Sequence, residues 1–166
     1  MSHSHASDSQ PELEELRHII DDCIGWAKTK DFDRLARIFR DDGLFIFHPE
    51  AGDTVTSREE FHRMGEKVWA SPSFRAIRHE IRDLRLRLAE SGTVAWFSCH
   101  LDDLAEWDGR PIGWHNVRWT GVLERQRDGW TVVQMHFSYP TGAATADAAS
   151  MTTNEGSVES SGGGPA

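Results

Sequence analysis

NVRWTGVLERQRDGWTVVQMHFSYP, from Asn116 to Pro140, holds two runs of strand-forming residues on either side of Arg127-Asp128-Gly129. Asp-Gly between such runs is a strong hairpin signal. Side chains alternate across a strand, so each run divides into two faces. In the first run Val117, Trp119 and Leu123 share a face, opposite Asn116, Arg118, Thr120 and Val122. In the second, Val133, Met135 and Phe137 oppose Trp130, Val132, Gln134, His136 and Ser138. One face is apolar; the other is mixed, apolar at Trp130 and polar at His136.

The pattern upstream supplies more strands for this hairpin. From Phe74 the period is two: Ile77, His79 and Ile81 alternate with arginines and Glu80, then Leu84, Leu86 and Leu88 continue on the other parity. A parity change inside one strand requires a bulge or bend near Arg82-Asp83. Glu90-Ser91-Gly92 turns into a strand from Thr93 to Trp107, and Asp108-Gly109 into the strand Ile112 to Arg125. Before the strands lie helical patterns. Leu13, Leu16, Ile20, Cys23, Ile24 and Ala27 form one stripe, with Ser9 and Glu12 as a capping box. Asp31 caps a short second helix bearing Phe32, Leu35, Ile38 and Phe39. Leu44 to His48 reads as a short strand and Glu50 to Thr54 as a loop. A third helix follows Thr56-Ser57, carrying Phe61, Met64, Val68 and Trp69 and stopping before Pro72.

This order predicts an α+β domain over residues 9–140, three N-terminal helices on a strongly curved antiparallel sheet. Residues 1–8 and the Ala/Ser/Thr/Gly-rich 141–166 are expected to be disordered tails. With three helices assigned to the mixed face, the apolar face (Phe97, Cys99, Leu101, Val117, Trp119, Val133, Met135, Phe137) is left uncovered. It is the expected surface of a homodimer.

Composition narrows function by exclusion. A formal net charge of −9 is wrong for a nucleic-acid partner. No apolar run reaches membrane-span length and no basic-then-apolar leader opens the chain, so no membrane partner is expected and the cytoplasm is the expected location. Cys23 and Cys99 are too far apart for a zinc or redox motif. The histidines lack ligand spacing, and there is no Gly-rich phosphate loop, so neither metal nor cofactor is expected.

The local motifs resemble the SnoaL-like, nuclear-transport-factor-two-like (NTF2-like) superfamily of cone-shaped, cystatin-like α+β domains. The residues are Asp31-Phe32-Asp33, Ile38-Phe39-Arg40-Asp41-Asp42, Arg118-Trp119-Thr120-Gly121-Val122-Leu123 and Gly129 to Ser138. The last strand is similar to the branch related to the association domain of calcium/calmodulin-dependent kinase. The resemblance implies either a cavity enzyme, such as a dehydratase, cyclase or isomerase, or a non-catalytic assembly module with a vestigial cavity. In the ketosteroid isomerases of this superfamily a general-base carboxylate precedes a proline after the first short strand; here His48-Pro49 stands there. Their helix-one tyrosine is replaced by the Cys23–Trp26 region, which disfavours steroid-isomerase chemistry.

On the mixed face, His100, Asp102, Arg118 and His136 are the expected acid–base and anion-holding residues. A carboxylate beside an imidazole makes a proton-transfer pair, and a guanidinium can hold a substrate carboxylate or a developing oxyanion. His48, Trp69, Trp96, Asn116, Trp130 and Gln134 are the expected ligand-pocket residues, for a small organic molecule. The competing reading makes Asp102 and Arg118 a structural ion pair and the tryptophans core.

Overall fold

The computed structural model describes residues 10–50 and 54–140. Both expected tails and the Ser9 cap therefore lie outside the described residues. Three helices, α1 (Gln10–Thr29), α2 (Phe32–Ile38) and α3 (Arg58–Lys67), pack on one face of a six-stranded sheet. The strands are β1 (Phe45–Phe47), β2 (Thr54–Val55), β3 (Phe74–Leu88), β4 (Val94–Trp107), β5 (Arg110–Gln126) and β6 (Gly129–Ser138), in the order β2-β1-β6-β5-β4-β3. The sheet is curved and unclosed, and the architecture is the α+β arrangement that the element order implied.

The caps form as the residues dictate. Asp31 accepts a bond from the Arg34 amide at 2.8 Å, and Ser57 accepts from the Glu60 amide at 3.1 Å. Glu60 in turn accepts from the Thr56 amide at 2.9 Å. Arg34 with Asp22 ties α2 to α1, and Arg40 with Glu124 ties the end of α2 to β5. β3 is one continuous strand, with register shifts at Ala76/Arg78 and Arg82/Arg85 and a positive φ of 54° at Asp83. The second shift is the bulge demanded by the parity change. The first turns Ile77 outward, although it was grouped with His79 and Ile81. Two pairings carry no local sequence signal: β1 runs parallel to β6, and β2 begins at Thr54, the last residue of the stretch read as a loop.

The assignment of the two sheet faces is corrected. The alternating set Ala95, Phe97, Cys99, Leu101 and Ala105 faces the helices with Val117, Trp119, Leu123, Met135 and Phe137, all of it buried. Trp119 lies edge-on to Phe97 (4.9 Å, 88°) and stacks on Phe137 (5.4 Å, 16°). The mixed face is the outer surface. The physical reason is cost. Each large apolar side chain gains about 1.5–3 kcal/mol on burial. Burying Arg118 or Asp102 under helices instead would cost several kcal/mol of desolvation per ion. The apolar face therefore takes the helices and is not a dimer surface.

Candidate functional site

Between the helices and the inner sheet face lies a pocket walled by aromatic rings. Trp26 of α1 contacts Trp69 at 5.4 Å and Phe61 of α3 at 6.2 Å, and Phe61 contacts Trp69 at 5.5 Å. Across from them, His48 lies parallel to Phe137 (5.8 Å, 4°) and 5.9 Å from Trp114, which meets Phe137 at 5.1 Å. Cys23 and Met135 fill the wall between. The free cavity is about 40 Å³, room for a few waters at about 10–15 Å³ each. Trp69 and Trp114 are both half-buried, so two walls of the pocket retain contact with solvent.

One carboxylate faces this apolar space. Asp103 continues the inward alternation of β4 after Leu101 and stands opposite Trp114 of β5. Burial raises its carboxyl to about 6, and the charge of His79 opposes the rise. A carboxyl titrating there exchanges a proton near neutral pH, the property a general acid or base needs. His79 is its register partner on β3, and the imidazole Nε2 lies 2.8 Å from Asp21 Oδ1 of α1. Cys23 donates its thiol hydrogen to the Ile19 carbonyl (3.2 Å), and burial raises its pKa strongly. Burial likewise pushes the Cys99 thiol up to about 12. Both thiols stay protonated and are poor nucleophiles.

The residues expected to act are placed elsewhere. His100, Asp102, Arg118 and His136 lie on the outer face. The register brings His100 beside Arg118 and His136 beside Thr120. Asp102 pairs with Arg82 (2.6 and 3.2 Å), not with Arg118, and also accepts from the Asn116 amide at 2.6 Å. The Arg82 guanidinium holds its carboxyl below the ordinary range. His100 Nδ1 lies 3.3 Å from Asp83, and Arg118 donates to the Tyr139 carbonyl at 2.8 Å. The ion pair expected between Asp102 and Arg118 is not formed; Asp102 is paired with Arg82 instead.

Of the expected pocket residues, His48 and Trp69 line the pocket. Trp96, Asn116 and Gln134 are on the outer face. Trp130 is buried away from the pocket under the Arg125 guanidinium, 5.6 Å from the ring centroid. Asp103 was missed, yet it had a signal. It is the single carboxylic acid in the set 95-97-99-101-103-105, and an acid interrupting a buried alternation must be paired, neutral or functional. Among the described residues no group of three or more His, Cys, Asp or Glu side chains could hold a metal ion. No described helix is long and apolar enough to cross a membrane.

Residues 16–142 match the model of the SnoaL-like domain. The chain belongs to the SnoaL-like family. Solved structures agree on the fold. An NTF2-like protein with a cystatin-like fold from Novosphingobium aromaticivorans is 17% identical with a TM-score of 0.64, over 88% of this chain and 96% of that one. A candidate dehydratase of the NTF2-like family from Streptomyces avermitilis is 18% identical with a TM-score of 0.64, over 78% and 96%. A candidate calcium/calmodulin-dependent protein kinase II association domain from Xanthomonas campestris is 16% identical with a TM-score of 0.62, over 77% and 87%. No curated protein matches. At these identities the structural likeness speaks for the SnoaL-like fold and not for a reaction.

Proposed function

We propose that this SnoaL-like domain binds a small planar organic molecule in the aromatic pocket and exchanges a proton with it through Asp103. The observation that carries the reading is a lone carboxyl, raised to about 6, facing a wall of Trp and Phe rings. Such a group removes a proton from an acidified carbon or returns one to a leaving hydroxyl, the shared requirement of dehydration, cyclisation and isomerisation. Ligand-sized pockets run to roughly 300–1,000 Å³, so binding requires Trp69 and Trp114 to swing outward from a cavity of about 40 Å³. The test uses Met135, whose side chain lines the pocket. With methyl-labelled methionine, a panel of planar aromatic alcohols and ketones, 2-naphthol first, is expected to shift the Met135 resonance saturably. A panel that leaves it unmoved overturns the reading.

A second reading, self-assembly, draws on the outer face. Phe45, Phe47 and Trp96 are 48%, 44% and 47% exposed there. The register lays out one cross-strand row as Arg87, Trp96, Val122, Gln134 and Phe45, and the next as Arg85, Ser98, Thr120, His136 and Phe47. A two-fold axis along β5 sets each arginine against a phenylalanine of a second copy, a cation–π pairing. Trp96→Glu is expected to turn a dimer into a monomer by light scattering. A protein that is monomeric before the change removes this reading.

A further inference from the structure

We infer that His79, held by Asp21, is the positioning residue that sets the charge of Asp103; this deepens the acid–base reading of the pocket and rests on it. Three features of geometry carry the inference. First, His79 and Asp103 are register partners on β3 and β4, and both side chains lie on the inner face. Second, the imidazole lies against α1 at Gly25, where a Cβ would come within 3.2 Å of the ring carbon Cε1. Glycine there lets the ring slide under the helix. Third, Nε2 reaches Asp21 Oδ1 at 2.8 Å, so the ring is held from the solvent side of α1.

The three groups form a graded path. The Asp21 side chain is 58% exposed and that of His79 is 22% exposed, while Asp103 faces the apolar pocket. An ionised carboxylate can only accept a hydrogen bond, so Nε2 keeps its proton against Asp21 in either charge state of the ring. When the ring is protonated its charge favours the Asp103 carboxylate, and when it is neutral the desolvation of Asp103 acts unopposed. The other titratable groups around the pocket are Cys23 on α1, which stays a neutral thiol, and His48 beyond β1. The charge of His79 is what offsets the desolvation of Asp103.

The test needs no ligand. Carbon-detected NMR titration of the aspartate carboxyls gives the Asp103 midpoint in the wild type, His79→Gln and His79→Lys. Glutamine of similar reach removes the charge and is expected to raise the midpoint by roughly one unit. Lysine supplies a permanent cation and is expected to lower it, by less, since the imidazole already carries part of that charge. A purely packing role for His79 moves both variants the same way, which would overturn the inference, as would an unmoved midpoint. In an Asp21→Ala background the His79→Gln shift is expected to fall to half or less; a full-size shift there overturns the role given to Asp21. A wild-type midpoint near the ordinary 3.8 would instead sink the acid–base reading of the pocket, so the two failures are distinguishable. Should the Lys variant unfold, His79→Arg repeats the cationic arm.

Discussion

Asp103→Asn is expected to make the folded chain more stable by roughly 2 kcal/mol at pH 8, and to abolish proton exchange in the pocket. Burial raises the carboxyl from 3.8 to about 6 in the fold. Between those values the native state binds a proton that the unfolded state has released, so stability falls as pH rises through that window and stays low above it. At about 1.4 kcal/mol per unit, the full cost of ionising Asp103 is about 3 kcal/mol; we take roughly 2 because the residue keeps some contact with water. Asparagine has the same shape and no charge, so it escapes the loss. Below about pH 4 both side chains are neutral and the two proteins should converge. Urea unfolding from pH 3.5 to 8 checks this, and parallel pH profiles for the two proteins would refute it.

Gly113→Ala is expected to cost roughly 3 kcal/mol or more, the range reached when backbone is forced out of place. Gly113 has a φ of +123°, and a Cβ there would sit 2.1 Å from the carbonyl oxygen of Asp103 and 3.1 Å from Leu104 Cα. These are backbone atoms of the neighbouring strand, so β4 and β5 must part. Gly92→Ala is the control: its φ is +67° with nothing within 4 Å, and the cost should be only the left-handed penalty of roughly 1 kcal/mol. The strands part at Asp103 itself, so the same alanine should admit water and bring the Asp103 midpoint down towards its ordinary value. Equal stability losses at the two glycines would show that the strand contact is not tight.

Much of the fold was legible because its signals are local. The Asp31 and Ser57 caps, the Asp-Gly turns and the parity change at Arg82-Asp83 each act within a few residues, and each formed where expected. The face assignment failed at a global step. Alternation separates Trp119 from Arg118 but does not say which side the helices take; that follows from comparing burial costs across the whole sheet, which favour Phe97, Leu101 and Trp119 inside. The placement of the expected site residues turned on the same step. Once the apolar face is the inner one, Asp103 becomes its lone acid, and His100 and Arg118 fall outside. His79 was read as inward, but its link to Asp21 spans 58 residues of chain, and nothing local announces it. Likewise β1 finds β6 by a long-range parallel pairing that short hydrophobic runs cannot specify.

β3 ends the sheet order, so its 15 residues present one free edge, while the opposite edge, β2, is two residues long. A long open edge invites strand addition by any other extended chain, and so fibrous aggregation. This strand carries Arg75, Arg78, Arg82, Arg85 and Arg87 on its outer side, and its register breaks twice. An incoming copy of the same strand would meet a row made mostly of arginines, broken by Glu80, and two kinks that ruin its pairing. The arginine ladder of β3 therefore guards this edge: it lets the chain leave one side of a 15-residue strand unpaired without seeding a growing stack.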